Sequence, residues 1–291
     1  MTPHDALVLD RFLLDTALCV VWGGGGFAHI TTNPMRRHLQ ACMATPLLSA
    51  AGIAALASVA TVPIQTAEIG SSWQSAVQVN VVLDVIFRTD VGVSTCVEVV
   101  TVLAMLVAAS LKHTAAAVII AGVALFEIAT RGHAASSFDL SGIARITVMG
   151  VHILAAAGWV GALLPFIMLV HLSGQPALRR NAVSSMIRFS TLGHITVALV
   201  LITGVANIAV ILGRVPGYGS SFYQAALLTK IFAVAAMTCI AIANRYIFVA
   251  IGRDRPGTSR QLLMAGTTLE IALGLLAFAL VASFGLDDPT T

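Results

Sequence analysis

Apolar runs of about 20 residues recur along the whole of this 291-residue chain. Each run, coiled as an α-helix, is long enough to cross a hydrocarbon core of roughly 30 Å. A segment inside a bilayer must satisfy its own backbone hydrogen bonds, so runs of this length indicate helices. We therefore expect an all-α polytopic membrane protein, a bundle of about eight transmembrane helices. The predicted spans are 12–31, 42–62, 91–111, 113–130, 143–172, 187–212, 224–251 and 261–284.

The composition agrees with a chain that lies almost wholly in the membrane. Charged residues make up only 10% of the chain, whereas a soluble domain usually has about 25%. The spans leave no room for a separate soluble domain, so residues 1–291 are predicted to form one transmembrane domain. Trp22-Gly23-Gly24 is similar to Trp159-Val160-Gly161. This short similarity favours a weak two-half organisation, 1–131 and 132–291, of a kind found in transporters.

The distribution of charge predicts how the bundle is oriented. If the odd-numbered connections lie on one side, that side has many cations and a single acid, Asp254. The positive-inside rule places such a side in the cytoplasm. Both termini are then predicted to be periplasmic or extracellular. The cations on the predicted cytoplasmic side are Arg36, Arg37, Lys112, Arg179, Arg180, Arg188, Arg253, Arg255 and Arg260.

Two local patterns predict features other than regular membrane-spanning helices. In the long connection 63–90, apolar residues four apart, among them Ile69, Trp73 and Val77, favour a helix lying in the membrane interface with Trp73 as an anchor. An ordered loop is an equal alternative there. The glycine run 23–26 in the first span permits either close helix approach or a local break in the helix.

Histidines in or beside apolar spans are the strongest functional signal, because an imidazole in a bilayer is costly and is a functional candidate by default. Met149 and His152 are three residues apart, so they share one face of the fifth predicted span. An imidazole with a thioether suits copper, and a neutral imidazole also suits haem iron. A histidine that merely hydrogen-bonds to a neighbouring helix is the structural alternative. Further candidate ligands are His133, Glu127 and His194.

Several acidic residues also fall within the spans. Asp15, Glu98 and Glu127 lie in the outer third of their spans and could surround an entrance for cations. Glu270 lies deeper, at a depth near that of Arg245, so an Arg245–Glu270 ion pair is expected. Proton coupling by Glu270 is the alternative.

A series of short motifs stands in order along the second half of the chain: Gly132-His133-Ala134, His152 with Trp159-Val160-Gly161, Arg188-Phe189-Ser190, Leu201-Ile202-Thr203-Gly204, Tyr223 with Lys230, Asn244-Arg245 and Glu270. Through these motifs the chain resembles the CopD (copper resistance protein D) family of bacterial inner-membrane proteins, over nearly its whole length. The chain departs from the family pattern at Ala162 and Gln224, where glycine is usual.

The resemblance implies a multi-pass protein of the bacterial inner membrane that handles copper, often with a periplasmic copper-binding partner of the CopC type. His133 and His152 carry over as metal-related positions, and Trp159 and Lys230 as family markers. We therefore expect a copper-binding protein, not an enzyme, that moves copper from periplasm to cytoplasm. Glu127 and His133 would receive the ion, His152 with Met149 would hold it, and His194 would serve as a deeper site.

Two other functions remain open from the sequence. One is a membrane haem b electron-transfer protein with His152 and His194 as axial ligands, which requires both histidines at similar depth on facing helices. The other is a regulatory or assembly subunit whose histidines support a partner enzyme.

Overall fold

The structure is a computed structural model that describes residues 1–131, 140–212, 222–252 and 254–286. These residues are almost entirely helical, and none of them is in a β-strand. The predicted all-α membrane fold is confirmed.

The N-terminal part contains six α-helices. Thr2 starts the first one with a capping box, in which its Oγ1 accepts a hydrogen bond from the Asp5 backbone N–H while the Asp5 carboxylate accepts one from the Thr2 N–H. The elements are α1 (Pro3–Cys19), a π-helical turn (Val20–Gly25), α2 (Gly26–Ile30), α3 (Asn33–Ile69), α4 (Val79–Arg88), α5 (Asp90–Ser110) and α6 (Thr114–Ile128).

The C-terminal part contains five more helices and a second π-helical turn. Its elements are α7 (Leu140–Leu172), α8 (Arg179–Leu212), α9 (Phe222–Ala243), the π turn (Asn244–Phe248), α10 (Val249–Ile251) and α11 (Pro256–Phe284).

Six helical segments of the described chain are long and apolar enough to cross a membrane: α3, α5, α7, α8, α11 and the continuous segment Phe222–Ile251. The other two predicted spans correspond to α1–α2, which the π turn interrupts, and to α6, which has 15 residues. The chain is therefore a multi-pass membrane protein, while the count of eight spans stays a prediction.

The N-terminal residues and the end of α11 lie at the same end of the bundle, which we call the terminal end. There the Arg11 Nη1 on α1 donates to the Gly285 carbonyl just after α11, at 3.3 Å. His4 Nδ1 lies 3.3 Å from Glu68 Oε1 near the end of α3. The segments alternate in direction, so α5, α7 and α9 also begin at the terminal end.

The connection 63–90 differs from the predicted interfacial helix. The helix α3 continues to Ile69, and a turn and a short 3-10 segment follow before α4 begins at Val79. Trp73 lies in that turn, where its Nε1 donates to the Met1 carbonyl at 3.2 Å. A single helix through Trp73 is therefore wrong, because local turn contacts compete successfully with the four-residue periodicity. An exposed apolar stripe on α4, including Leu83 and Phe87, is typical of an interfacial helix.

Glycines bring α1 and α7 into backbone contact. A Cβ atom on Gly23, in the first π turn, would lie 2.8 Å from the Gly158 carbonyl oxygen and 2.8 Å from the Gly161 Cα. Two side chains reinforce this crossing: Cys19 Sγ donates to the Ala157 carbonyl at 3.3 Å, and Trp22 Nε1 donates to the Leu154 carbonyl at 3.0 Å. The glycine run thus provides both the close approach and the irregular helix that the sequence left open.

The two predicted halves share one core. The largest buried cluster takes residues from α1, α3, α5 and α6 and also from α7, and one member, Ala182, comes from α8. The two segments with similar Trp and Gly residues lie against each other at the centre of this core.

Gly23→Ala is expected to destabilise the protein by about 1–3 kcal/mol, because the added methyl group has only backbone atoms to displace. Thermal unfolding of the purified protein in detergent measures the effect. Gly52→Ala is the matched control, since a Cβ there meets nothing within 4 Å. Equal melting temperatures for the two variants would contradict the close contact of α1 with α7.

Candidate metal site between α7 and α8

The centre of the candidate site is a hydrogen bond from α7 to α8. His152 Nδ1 lies 3.0 Å from the Thr203 hydroxyl oxygen. That hydroxyl lies 2.5 Å from the Leu199 carbonyl, and donating its single hydrogen there makes it the acceptor of the Nδ1–H of His152. The Nδ1–H tautomer of His152 is assigned from this short contact. A neutral imidazole has one N–H group, so this bond leaves His152 Nε2 with a lone pair available to a metal ion.

A second contact lies one helical turn away. Asn207 Nδ2 donates to the Met149 sulfur at 3.8 Å. Met149 lies three residues before His152 on α7, and Asn207 lies four residues after Thr203 on α8. The imidazole and the thioether therefore lie on adjacent turns of the same interface. The sequence prediction that Met149 and His152 share a face agrees with this arrangement.

The site offers few ligands. No group of three or more His, Cys, Asp or Glu side chains is placed to hold a metal ion in the ranges that the structure describes. Structural metal sites usually have four protein ligands. A site with one imidazole and one thioether suits transient binding of a soft metal ion, and both donor types suit copper.

Neighbouring residues enclose His152 on several sides. Gly204 lies so close that a Cβ there would be 3.3 Å from His152 Cε1. Trp159, two turns further along α7, is buried with Val200 and Met237 and closes this interface on the side away from the terminal end. The ammonium group of Lys230 on α9 is near enough for its charge to act on His152.

Glu127 lies on the other side of α7. It lines a cleft of about 420 Å³ with Trp22 and Leu154, and its Oε1 accepts a hydrogen bond from Thr101 at 2.8 Å. His152 is two residues before Leu154, and two residues correspond to about 200° around a helix. The structure therefore does not bring Glu127 together with His152.

His194 is also separate from His152. It is exposed on α8, where its Nδ1–H donates to the Ser190 carbonyl at 2.5 Å and its Nε2 accepts from the Tyr246 hydroxyl at 3.1 Å. It lies nine residues before Thr203, which corresponds to about 13 Å along the helix. The two histidines therefore cannot ligate one haem iron in this arrangement.

The remaining predicted ligand, His133, lies outside the described residues. The helix end just before it has a polar network, in which Arg131 Nη1 donates to Glu98 Oε2 at 2.5 Å and Arg131 Nη2 donates to the Ser94 carbonyl at 3.1 Å. Glu98 is buried, so this cation offsets its charge.

Comparison with known protein families identifies the chain. The family model described as "Copper resistance protein D-like, N-terminal domain" matches residues 1–146, half of the chain. The model "Copper resistance protein D" matches residues 183–284. The chain belongs to the copper resistance protein D family. Thr203, Asn207 and Lys230 lie inside the second matched region, whereas Met149 and His152 fall between the two.

Two relatives of this copper resistance protein D family member are similar over about half of their length. The chain is 32% identical to the inner membrane protein YebZ of Escherichia coli K12 over 139 residues, 48% of this chain and 47% of YebZ. It is 27% identical to copper resistance protein D of Pseudomonas syringae pv. tomato over 146 residues, 47% of each chain. No solved structure matches. The family and these names agree with a multi-pass inner-membrane protein.

Sequence reasoning missed three polar partners in this family member. Thr203 and Asn207 are four residues apart in an apolar span, so their spacing was a signal for a polar face on α8. The third is Asn244, whose Nδ2 donates to Glu270 Oε2 at 2.7 Å. The expected Arg245–Glu270 ion pair is wrong, because the second π turn directs Asn244, rather than Arg245, toward Glu270 on α11.

Thr203→Val is expected to weaken copper binding about 10- to 100-fold, because the isosteric side chain cannot accept the Nδ1–H bond that orients the imidazole. A competition titration with a copper chelator on the purified protein gives the affinity. Thr191→Val is the matched control on α8, since the Thr191 hydroxyl bonds only to its own helix at Ile187. Unchanged affinity in Thr203→Val would show that this bond does not orient a metal ligand.

Proposed function

We propose that this protein binds copper inside the membrane through His152 Nε2 and Met149 Sδ and carries it from the periplasm to the cytoplasm. Membership of the copper resistance protein D family supports copper as the substrate. The His152–Thr203 hydrogen bond is the main support for the proposed site, because it leaves His152 Nε2 unprotonated beside the Met149 thioether. The proposed activity is binding and movement of an ion, with no enzymatic step.

The proposed direction follows from charge. By the positive-inside rule the terminal end is periplasmic, so both termini lie outside the cytoplasm. A membrane potential of 100 mV, negative inside, favours entry of one positive charge by about 2.3 kcal/mol. A singly charged copper ion would therefore move inward along its electrical gradient.

The proposed entrance lies at the terminal end. Glu127 and His133 would receive the ion there, in part through the cleft between α6 and α7 that Glu127 lines. A periplasmic copper-binding protein of the CopC type would be the donor. Because Glu127 on α6 lies on the side of α7 opposite to His152, the ion must pass around or along α7 to reach His152.

The first test compares copper binding by purified variants. His152→Ala is expected to abolish stoichiometric copper binding, and Met149→Leu to weaken it about tenfold or more, since each removes one ligand. His194→Ala is the matched control, because both of its ring nitrogens are already engaged outside the site.

The same preparations decide between copper and haem. Metal analysis and the absorption spectrum are recorded together, and copper uptake is measured in cells with and without the chain. Stoichiometric copper without a Soret band, with uptake lost in His152→Ala, supports the proposal. A Soret band, no bound copper after loading, or lower cellular copper on expression would contradict it.

Removing the charge of Lys230 is expected to strengthen copper binding, in contrast to removing a ligand. Its positive charge acts on His152 and opposes a bound cation there. Lys230→Met retains the length and apolar stem of the side chain and is expected to tighten copper binding about tenfold, a Coulomb effect of 1–2 kcal/mol at an intermediate effective dielectric constant. Lys230→Arg retains the charge and should bind copper like the wild type. Weaker binding in Lys230→Met would show that Lys230 supports the site by another route.

A further inference from the structure

A second buried polar pair lies deeper in the bundle. Glu270 is at the middle of α11 and is only 3% exposed. Its one described partner is Asn244 in the second π turn, whose Nδ2 donates to Glu270 Oε2 at 2.7 Å. Glu270 makes no ion pair with any residue that the structure describes.

An ionised carboxylate in this position would be costly. Burying a charge without a partner costs several kcal/mol, and such a group usually becomes neutral instead. Among the described residues, the helices that pack on α11 place no cation in an ion pair with Glu270. On α1, Arg11 reaches Gly285 at the terminal end. Neither Lys230 on α9 nor Arg245 in the second π turn forms an ion pair with Glu270.

The amide oxygen of Asn244 also favours a protonated Glu270. Asn244 is 6% exposed, and its Oδ1 is buried with no hydrogen-bond partner. A buried acceptor without a donor costs about 1–3 kcal/mol. A protonated Glu270 supplies the missing donor, because its O–H and the Asn244 Nδ2–H together form a two-bond ring between acid and amide. An ionised Glu270 has no hydrogen to donate and leaves Oδ1 unsatisfied.

The local backbone holds Asn244 in this position. It is the first residue of the second π turn, and such turns frequently lie at functional sites. Gly266, one turn before Glu270 on α11, makes room for the amide, since a Cβ there would be 3.1 Å from Asn244 Nδ2 and closer still to Oδ1.

We propose that Glu270 and Asn244 form a proton-binding site within the membrane, at which Glu270 is a neutral acid at rest and gives up its proton as copper passes. The coupling rests on the proposed function, whereas the proton site does not. Val160 packs on Gly274, and by helix rise this puts Glu270 roughly 18 Å further from the terminal end than His152. One proton leaving toward the periplasm for each Cu⁺ entering makes the exchange electroneutral, so in this coupled form the copper gradient, and not the membrane potential, drives entry. No oxidation or reduction occurs.

Infrared difference spectroscopy tests the proton site without copper. Wild type and Glu270→Gln are compared in lipid bilayers at neutral pH, in H₂O and in D₂O. The expected result is a carboxylic acid C=O band in the wild type that shifts in D₂O and is lost in the variant. Loss of a carboxylate band instead would show that Glu270 is ionised, and would overturn the proposal.

Variants of the partner test the acid–amide ring. Asn244→Leu is expected to move the C=O band to higher frequency, because the acid loses its hydrogen bonds. Gly266→Ala displaces the same amide and replaces Asn244→Leu if that variant fails to fold. Thr268→Val is the control, since Thr268 is exposed on α11 and bonds to Met264 of its own helix. An unshifted band in a folded Asn244→Leu or Gly266→Ala would overturn the ring.

Proteoliposomes with an internal pH dye test the coupling. Glu270→Gln is expected to bind copper with wild-type affinity and to lose copper-driven proton movement. Proton movement that persists in Glu270→Gln would overturn the coupling. His152→Ala separates the two proposals: if it still binds and transports copper, the proposed function fails, while its infrared band reports on the proton site independently.

Discussion

The architecture depends on the requirement that each polar side chain inside a bilayer find a partner within the protein. The partners lie across helix interfaces, so each pair fixes which faces of two helices meet. Near the terminal end, Asp10 on α1 accepts from Thr61 on α3 at 2.6 Å, and Arg131 offsets the charge of Glu98. In the other half, His152 meets Thr203 and Glu270 meets Asn244. Apolar side chains cover much of the remaining helix surface and are free to face lipid or pack as core.

Glycine and helix irregularity place these polar pairs relative to one another. The first π turn and Gly161 let α1 and α7 approach to backbone contact, which joins the polar network of α1, α3, α5 and α6 to α7. One face of α7 then lies toward the Glu127 cleft, and another face lies toward Thr203 on α8. The second π turn sets Asn244 against α11. Both irregular turns therefore lie where two helices must present polar or backbone groups to each other.

The sequence predicts well how deep in the membrane a residue lies, but poorly which neighbouring helix its side chain faces. Run length located the spans to within a few turns, and the i, i+3 spacing put Met149 and His152 on one face. Depth alone wrongly paired Glu270 with Arg245, because one residue of rotation, about 100°, decides whether Asn244 or Arg245 faces α11. Depth placed Glu127, His152 and His194 in order along one predicted path, and the packing of α7 and α8 adds that the three side chains lie apart from one another. Thr203 and Asn207 could be recognised as partners of His152 and Met149 only once the packing of α7 on α8 was known. The sequence of a single span does not specify that packing.

In the proposed function, one imidazole and one thioether of this copper resistance protein D family member hold copper between α7 and α8. X-ray absorption of the copper-loaded protein measures this coordination, because sulfur and nitrogen ligands scatter at different distances and strengths. Both kinds of ligand are expected in the wild type, with the sulfur contribution lost in Met149→Leu and the imidazole contribution lost in His152→Ala. A spectrum with only oxygen and nitrogen ligands, unchanged in Met149→Leu, would contradict it.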